Sequence, residues 1–224
     1  MLTMRQKTAA AGLLAAVAFS VTGCSSDSGG GSANDKIKGA GSEESVSASP
    51  SASASGSAAA EKNAPKFALP ADVKATVERD TSGDAVKDAV LRDVAYSAQA
   101  NIEAFALGKN QSANLNRYFS GSAYTYWAKQ VADFKKDGLT LTGEYRYYDF
   151  KVTDLANGRS AAVTYCEDQS KAFSKEIKTK KVLRTSPSNN SYVLYTLQAS
   201  KDSAGDWQVT RQSWKKGDPS CVRT

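Results

Sequence analysis

The sequence predicts an α+β domain in which N-terminal helices pack on a bent, mostly antiparallel β-sheet, preceded by a disordered tether. Apolar residues recur every three or four positions between residues 84 and 137, which is the period of a helix buried on one face. After Gly138 the period becomes two, which is the period of a strand. Helices followed by antiparallel strands are typical of α+β domains.

The first 23 residues are predicted to be a lipoprotein signal peptide. Arg5 and Lys7 form a basic n-region, and the apolar run 9–21 has the length of an h-region but is too short to span a bilayer. The tetrapeptide that ends at Cys24 reads Val-Thr-Gly-Cys and resembles the bacterial lipobox. That resemblance implies an acylated Cys24 and a place at the outer face of the cytoplasmic membrane, lipid-anchored and extracytoplasmic. The alternative is an ordinary secretory signal with an incidental cysteine.

Residues 24–69 are predicted to be the lipidated cysteine and a disordered tether, and residues 70–224 a single α+β domain. Residues 25–60 contain 12 Ser, 8 Ala and 6 Gly and no aromatic residue. Such a segment cannot bury enough apolar surface to offset the entropy of ordering it.

Processing changes the charge and the cysteine count. Loss of Arg5 and Lys7 lowers the net charge from +6 to +4, which is weak evidence for a polyanionic partner, and we expect no nucleic-acid binding outside the cell. The two cysteines left in the domain are Cys166 and Cys221. Because exported proteins mature in an oxidising compartment, we expect these two to form a disulfide, the alternative being two buried thiols.

The sequence contains no histidine. This excludes Ser-His-Asp and Cys-His catalysis, His-ligated metals and an imidazole switch near neutral pH. There is also no phosphate-cradling glycine loop and no metal-spaced cysteine set, so we expect no cofactor and no metal. Acid–base chemistry would have to use carboxylate, tyrosine or lysine groups.

Three helices are predicted. The first covers residues 84–107, where Asp84 caps the start and Gly108 ends it. A short helix is predicted over residues 113–119. The third covers residues 122–137, in which apolar residues follow helical spacing.

Six extended segments are predicted. Residues 72–78 alternate in polarity and indicate a short strand or an extended arm. The first long strand begins at Leu139, and its apolar parity changes near residues 148–149, which indicates a β-bulge. The remaining strands are predicted over residues 161–165, 173–183, 192–199 and 207–214.

This order of elements resembles the nuclear-transport-factor-2-like fold, also called cystatin-like, over residues 84–214. The stretch 205–209, which reads Gly-Asp-Trp-Gln-Val, is similar to the last strand of that fold. The whole chain resembles uncharacterised lipoproteins of high-GC Gram-positive bacteria. The fold resemblance implies a cone-shaped sheet, and members of this fold include isomerases, dehydratases and cyclases as well as non-catalytic binding or assembly modules.

The resemblance implies a candidate pocket inside the cone, lined by six residues: Tyr145, Tyr147, Asp149, Tyr165, Tyr195 and Trp207. The alternative is that the aromatic side chains fill a closed core. Asp149 has the residue type of the carboxylate base in ketosteroid-isomerase-like members. Its alternative is a solvated acid paired with Arg146 or Lys151.

A basic segment covers residues 171–184. Its cations could face anionic headgroups or wall polymers, or they could protect a sheet edge from pairing with other chains. They are Lys171, Lys175, Lys178, Lys180, Lys181 and Arg184, against one acid, Glu176.

The sequence therefore leaves two classes of function. We prefer a non-catalytic binding or assembly module at the cell envelope, because histidine is absent; its expected partners are the membrane, an envelope protein, a small apolar ligand or a second copy of the chain. The alternative is a small-molecule isomerase- or dehydratase-like enzyme that uses Asp and Tyr chemistry. A closed, aromatic-filled cone would favour the module. An open cavity of several hundred Å³ with a buried carboxylate beside a tyrosine would favour the enzyme.

Overall fold

A computed structural model of the chain describes residues 63–223. The predicted signal peptide, the acylated Cys24 and the tether up to residue 62 lie outside this part. Phe67 and Leu69, which the predicted boundary assigns to the tether, pack against the hydrophobic core. None of the helices between residues 63 and 223 has both the length and the apolar character needed to cross a membrane.

Three helices precede five of the six strands of the sheet, as predicted. Helix α1 covers Ala85–Leu107, α2 covers Ala113–Tyr118 and α3 covers Gly121–Lys136. The Asp84 side chain accepts hydrogen bonds from the first-turn amides of α1, and Gly108 ends the helix in a left-handed conformation with φ of 61°. These are the two end signals that the sequence carries.

The sheet contains six strands. They are β1 (Val73–Val77), β2 (Leu139–Ala156), β3 (Ser160–Glu176), β4 (Val182–Leu183), β5 (Tyr192–Lys201) and β6 (Trp207–Lys216). The order across the sheet is β1-β2-β3-β5-β6, and β4 pairs with the end of β3. Only the β1–β2 pair is parallel among the strands of the described chain. The predicted α+β class, with helices packed on a mostly antiparallel sheet, is confirmed.

The predicted bulge in β2 is present. The register against β3 shifts between Tyr148 and Lys151, and Asp149 has a positive φ of 53°. The shift explains the change of parity, because Tyr147 faces the helices before the bulge and Phe150 packs in the same core after it.

The predicted separation of the strands at 161–165 and 173–183 is wrong. One strand, β3, continues through residues 166–172, and the chain turns only after Glu176. Polar residues interrupt the apolar alternation there, yet they pair with β2, with Glu167 opposite Tyr147 and Asp168 opposite Arg146. A strand that borders a cavity tolerates polar side chains where a strand in a solid core would not.

The two faces of the sheet are covered differently. The inner face packs on the helices and forms the main core. On the outer face a smaller cluster contains Tyr148, Cys166 and Cys221. The structure contains the expected Cys166–Cys221 disulfide, with the Cα atoms 5.5 Å apart, and the hydroxyl of Tyr148 donates a hydrogen bond to the carbonyl of Cys221. The C-terminal tail is thereby fixed across the outer face.

Candidate ligand-binding cavity

A cavity of about 290 Å³ lies between the helices and the inner face of the sheet. Helix α1 lines it with Ala98, Asn101, Ile102 and Phe105. Helix α3 contributes Trp127 and Phe134, and the strands supply a mixture of aromatic and polar side chains. The predicted cone is thus open, with a mostly apolar and aromatic wall.

Four of the six predicted pocket residues line this cavity, namely Tyr145, Tyr147, Tyr165 and Tyr195. Each lies at an inward-facing position of its strand and is buried. The ring of Tyr165 lies between those of Phe150 and Tyr195, with centroid distances of 5.0 and 4.9 Å. Stacking on both faces fixes the orientation of Tyr165 and makes this part of the wall rigid.

Asp149 does not line the cavity, so its assignment to the pocket is corrected. The bulge turns this residue outward, and 46% of its side chain is exposed. Its Oδ1 lies 3.5 Å from a guanidinium nitrogen of Arg223, whereas Arg146 pairs with Glu78. The solvated alternative is therefore the better description, with a different basic partner.

Trp207 is not a lining residue of the cavity either. Its side chain is completely buried in the core, as expected for a large aromatic residue at an inward-facing position at the start of β6. Its backbone N–H donates a hydrogen bond of 2.9 Å to Oδ2 of Asp93 on α1. Trp207 therefore joins the last strand to the first helix and has a structural role.

The buried acid of the cavity is Glu167, which is not among the pocket residues predicted from the sequence. Only 2% of this residue is exposed, and it lines the cavity. The Tyr147 hydroxyl donates to its Oε1 at 2.9 Å, and Nε2 of Gln169 donates to its Oε2 at 2.8 Å. The hydroxyl of Tyr195 also interacts with this carboxylate. The sequence pattern does indicate an inward-facing Glu167, because this residue takes the next inward position of the strand after Ala161, Val163 and Tyr165.

Burial raises the pKa of Glu167, because the charged form loses its hydration. The hydrogen bonds from Tyr147, Gln169 and Tyr195 and the more distant charge of Lys216 oppose this rise only in part. The pKa values of Tyr147 and Tyr195 are also raised well above the usual range, first by burial and then by the Glu167 charge. Both tyrosines therefore remain protonated hydrogen-bond donors.

The basic segment 171–184 is partly engaged in local contacts. Lys175 forms an ion pair with Asp72, and the guanidinium of Arg184 lies 5.0 Å from the ring centroid of Phe173. Lys171 lies 3.8 Å from a carboxylate oxygen of Glu144. Three of the six cations of this segment therefore contact neighbouring side chains.

Within residues 63–223, no group of three or more acidic or cysteine side chains is placed to hold a metal ion. The cavity offers hydrogen-bonding and aromatic groups as its chemistry. This arrangement can bind an organic molecule around one fixed carboxylate.

No protein-family model matches this chain, and no curated protein matches it. Several solved structures do match it. The intermembrane-space region of the chloroplast protein ARC6 is 16% identical, with 55% of this chain and 92% of that chain covered and a TM-score of 0.41. A ketosteroid isomerase-like protein from Erwinia carotovora atroseptica is 17% identical, with 58% and 97% covered and a TM-score of 0.37. A protein from Catenulispora acidiphila is 6% identical, with 58% and 93% covered and a TM-score of 0.39. The function has to be inferred from the cavity itself.

Proposed function

We propose that this domain binds a small organic molecule in the cavity, as a non-catalytic module held by a lipid anchor at the outer face of the cytoplasmic membrane. The observation that carries the proposal is the fixed carboxylate of Glu167 in a wall that is otherwise mostly apolar and aromatic. Small-molecule sites have this composition, with apolar surface for affinity and a few polar groups for orientation.

Binding fits the hydrogen bonds of the site better than catalysis does. In a carboxylate–tyrosine isomerase, the carboxylate removes a proton and the tyrosine hydroxyls stabilise the resulting oxyanion. Here the Tyr147 hydroxyl donates to Glu167 itself, and Tyr195 interacts with the same carboxylate. A hydroxyl that donates to the base cannot donate its proton to a substrate oxygen at the same time.

The second candidate is an isomerase- or dehydratase-like enzyme with Glu167 as its base. The cavity is open, and its buried carboxylate has a raised pKa beside a tyrosine, which is the arrangement that favours an enzyme. The test is exchange of the α protons of phenylacetone in D₂O, followed by ¹H NMR. Exchange above the solvent rate that disappears in Glu167→Gln would favour the enzyme, and exchange at the solvent rate would favour the binding module.

Occupancy of the cavity is tested by native mass spectrometry of the full chain, followed by titration with 2-phenylethanol and 2-phenylethylamine. Ala172 lines the cavity, so Ala172→Phe places a ring in it. Ala162→Phe is the matched control, because Ala162 lies on the same strand outside the cavity lining. We expect the Ala172 variant to lose a co-purifying ligand or the binding of both probes, and the control to retain it. A wild-type chain that holds no ligand and binds neither probe would contradict the proposal.

The anchor is tested by growing bacteria that express the full chain with an alkyne-tagged palmitate. We expect the wild-type chain to carry the tag and to sediment with membranes, and Cys24→Ala to do neither. An untagged wild-type chain in the culture medium would instead indicate the ordinary secretory signal.

A further inference from the structure

The cavity also indicates the charge of its ligand, an inference that rests on the proposed function. The ion pairs among the described residues involve other acids, and no lysine or arginine nitrogen of residues 63–223 lies within 4 Å of the Glu167 carboxylate. Its hydrogen bonds come from neutral groups, and Lys216 acts on it only from a distance. A buried carboxylate without a cationic partner is costly, and a ligand cation would remove this cost.

The hydrogen-bonding groups of the cavity indicate a ligand that donates. The Tyr147 hydroxyl and the Gln169 amide each already donate a hydrogen bond to Glu167. The side-chain oxygen of Asn101, which also lines the cavity, is buried and has no hydrogen-bond partner among the described residues. The Asn101 oxygen is therefore an acceptor left without a partner, which favours a ligand with an N–H or O–H donor.

The walls suit a cation that carries an apolar body. Phe105, Trp127, Phe134 and Tyr145 surround the same space, and aromatic rings attract organic cations through their electron-rich faces. A volume of about 290 Å³ holds on the order of ten non-hydrogen atoms, since a water molecule occupies about 30 Å³ in the liquid. This is the size of one ring with a short side chain.

We propose that the cavity binds a protonated arylalkylamine, whose ammonium group pairs with Glu167 and whose ring lies against the aromatic wall. Asn101 accepts a further hydrogen bond from the ligand. The carboxylate thus selects for positive charge, and the wall selects for an apolar body of one ring.

Three probes of similar size and different charge test this inference: 2-phenylethylamine, 2-phenylethanol and phenylacetate. Each is titrated into the full chain at neutral pH and followed by ligand-observed NMR or calorimetry. We expect the amine to bind at least about tenfold more tightly than the alcohol, since a charge-assisted hydrogen bond is about twice as strong as a neutral one, and phenylacetate to bind most weakly. Equal affinities for the amine and the alcohol would overturn the amine assignment and leave the proposed function intact. Failure of all three probes to bind to a chain that also holds no co-purifying ligand would contradict the proposed function itself.

Two variants test whether Glu167 is the source of the preference for the amine. In Glu167→Gln we expect the preference for the amine to fall to about twofold or less, because the charge is gone while the shape is kept. Asp149→Asn is the matched control, since this carboxylate lies outside the cavity and asparagine tolerates its positive φ. A preference for the amine that survives in Glu167→Gln, or that disappears in Asp149→Asn, would refute the role of Glu167. The comparison of probes on the wild-type chain needs no variant and stands if Glu167→Gln does not fold.

Discussion

Breaking the disulfide should cost a large part of the domain's stability. The bridge joins Cys166 on β3 to Cys221 in the tail, 55 residues apart in sequence. On the chain-entropy model, closing a loop of this length removes about 4 kcal/mol of conformational entropy from the unfolded state. A single domain is typically stable by about 5–15 kcal/mol, so the bridge can decide whether the chain is folded at 37 °C.

The assay is equilibrium unfolding in urea, followed by tryptophan fluorescence, with Cys24→Ser in every sample so that only the bridge differs. The oxidised chain is compared with the reduced chain and with the Cys166→Ala/Cys221→Ala variant. The difference in the free energy of unfolding between the reduced chain and the double variant measures the contribution of sulfur packing, because neither protein has a cross-link. A loss of unfolding free energy below about 1 kcal/mol in both the reduced chain and the double variant, with the native fluorescence spectrum retained, would refute the entropic account. Two free thiols in the unreduced chain, detected by iodoacetamide labelling, would refute the bridge itself.

Two further predictions concern single residues of the sheet. Gly143→Ala should lower the free energy of unfolding by at least about 2 kcal/mol, because Gly143 has φ of 95° and a Cβ there would overlap the carbonyl oxygen of Lys171. Gly158→Ala, with φ of 59° and open space, should cost only about 1 kcal/mol, and equal losses in urea unfolding would contradict the steric argument. Because the folded pKa of Glu167 is raised, its contribution to stability is complete below the unfolded pKa and is lost as the pH rises through the folded pKa. We therefore expect the Tm of the wild type to fall as the pH rises from the unfolded to the folded pKa of Glu167, and the Tm of Glu167→Gln to fall less. Parallel curves of Tm against pH for the two proteins would show that Glu167 does not titrate in this range.

The helices and their ends could be predicted because the signals are local. Asp84 has a side chain that caps an N-terminus, and Gly108 adopts the left-handed conformation that ends a helix, so each residue acts on its own few neighbours. The bulge at Asp149 was also visible, since a change in the parity of apolar residues has few other causes.

The buried acid could not be found by looking for a carboxylate among tyrosines. Asp149 has tyrosines beside it in sequence, but neighbours in a strand point to opposite faces, and the bulge turns Asp149 outward. Glu167 lies among polar residues that resemble the end of a strand, and its tyrosines come from β2 and β5. Such a site depends on pairing between strands, which the composition of one segment does not contain.

The disulfide and the candidate site occupy adjacent rungs of the β2–β3 ladder. Tyr148 pairs with Cys166 on the outer face, and the next rung pairs Tyr147 with Glu167 on the inner face. Because side chains alternate along a strand, a slip of one residue would turn Glu167 to the outside and Cys166 into the cavity. Cys221 is bonded to Cys166 on β3, and its carbonyl accepts a hydrogen bond from Tyr148 on β2, so the tail contacts both residues of the outer rung. The hydrogen bond from Tyr147 to Glu167 depends on the same register. The tail on the outer face thus fixes the alignment that places a carboxylate inside the cavity.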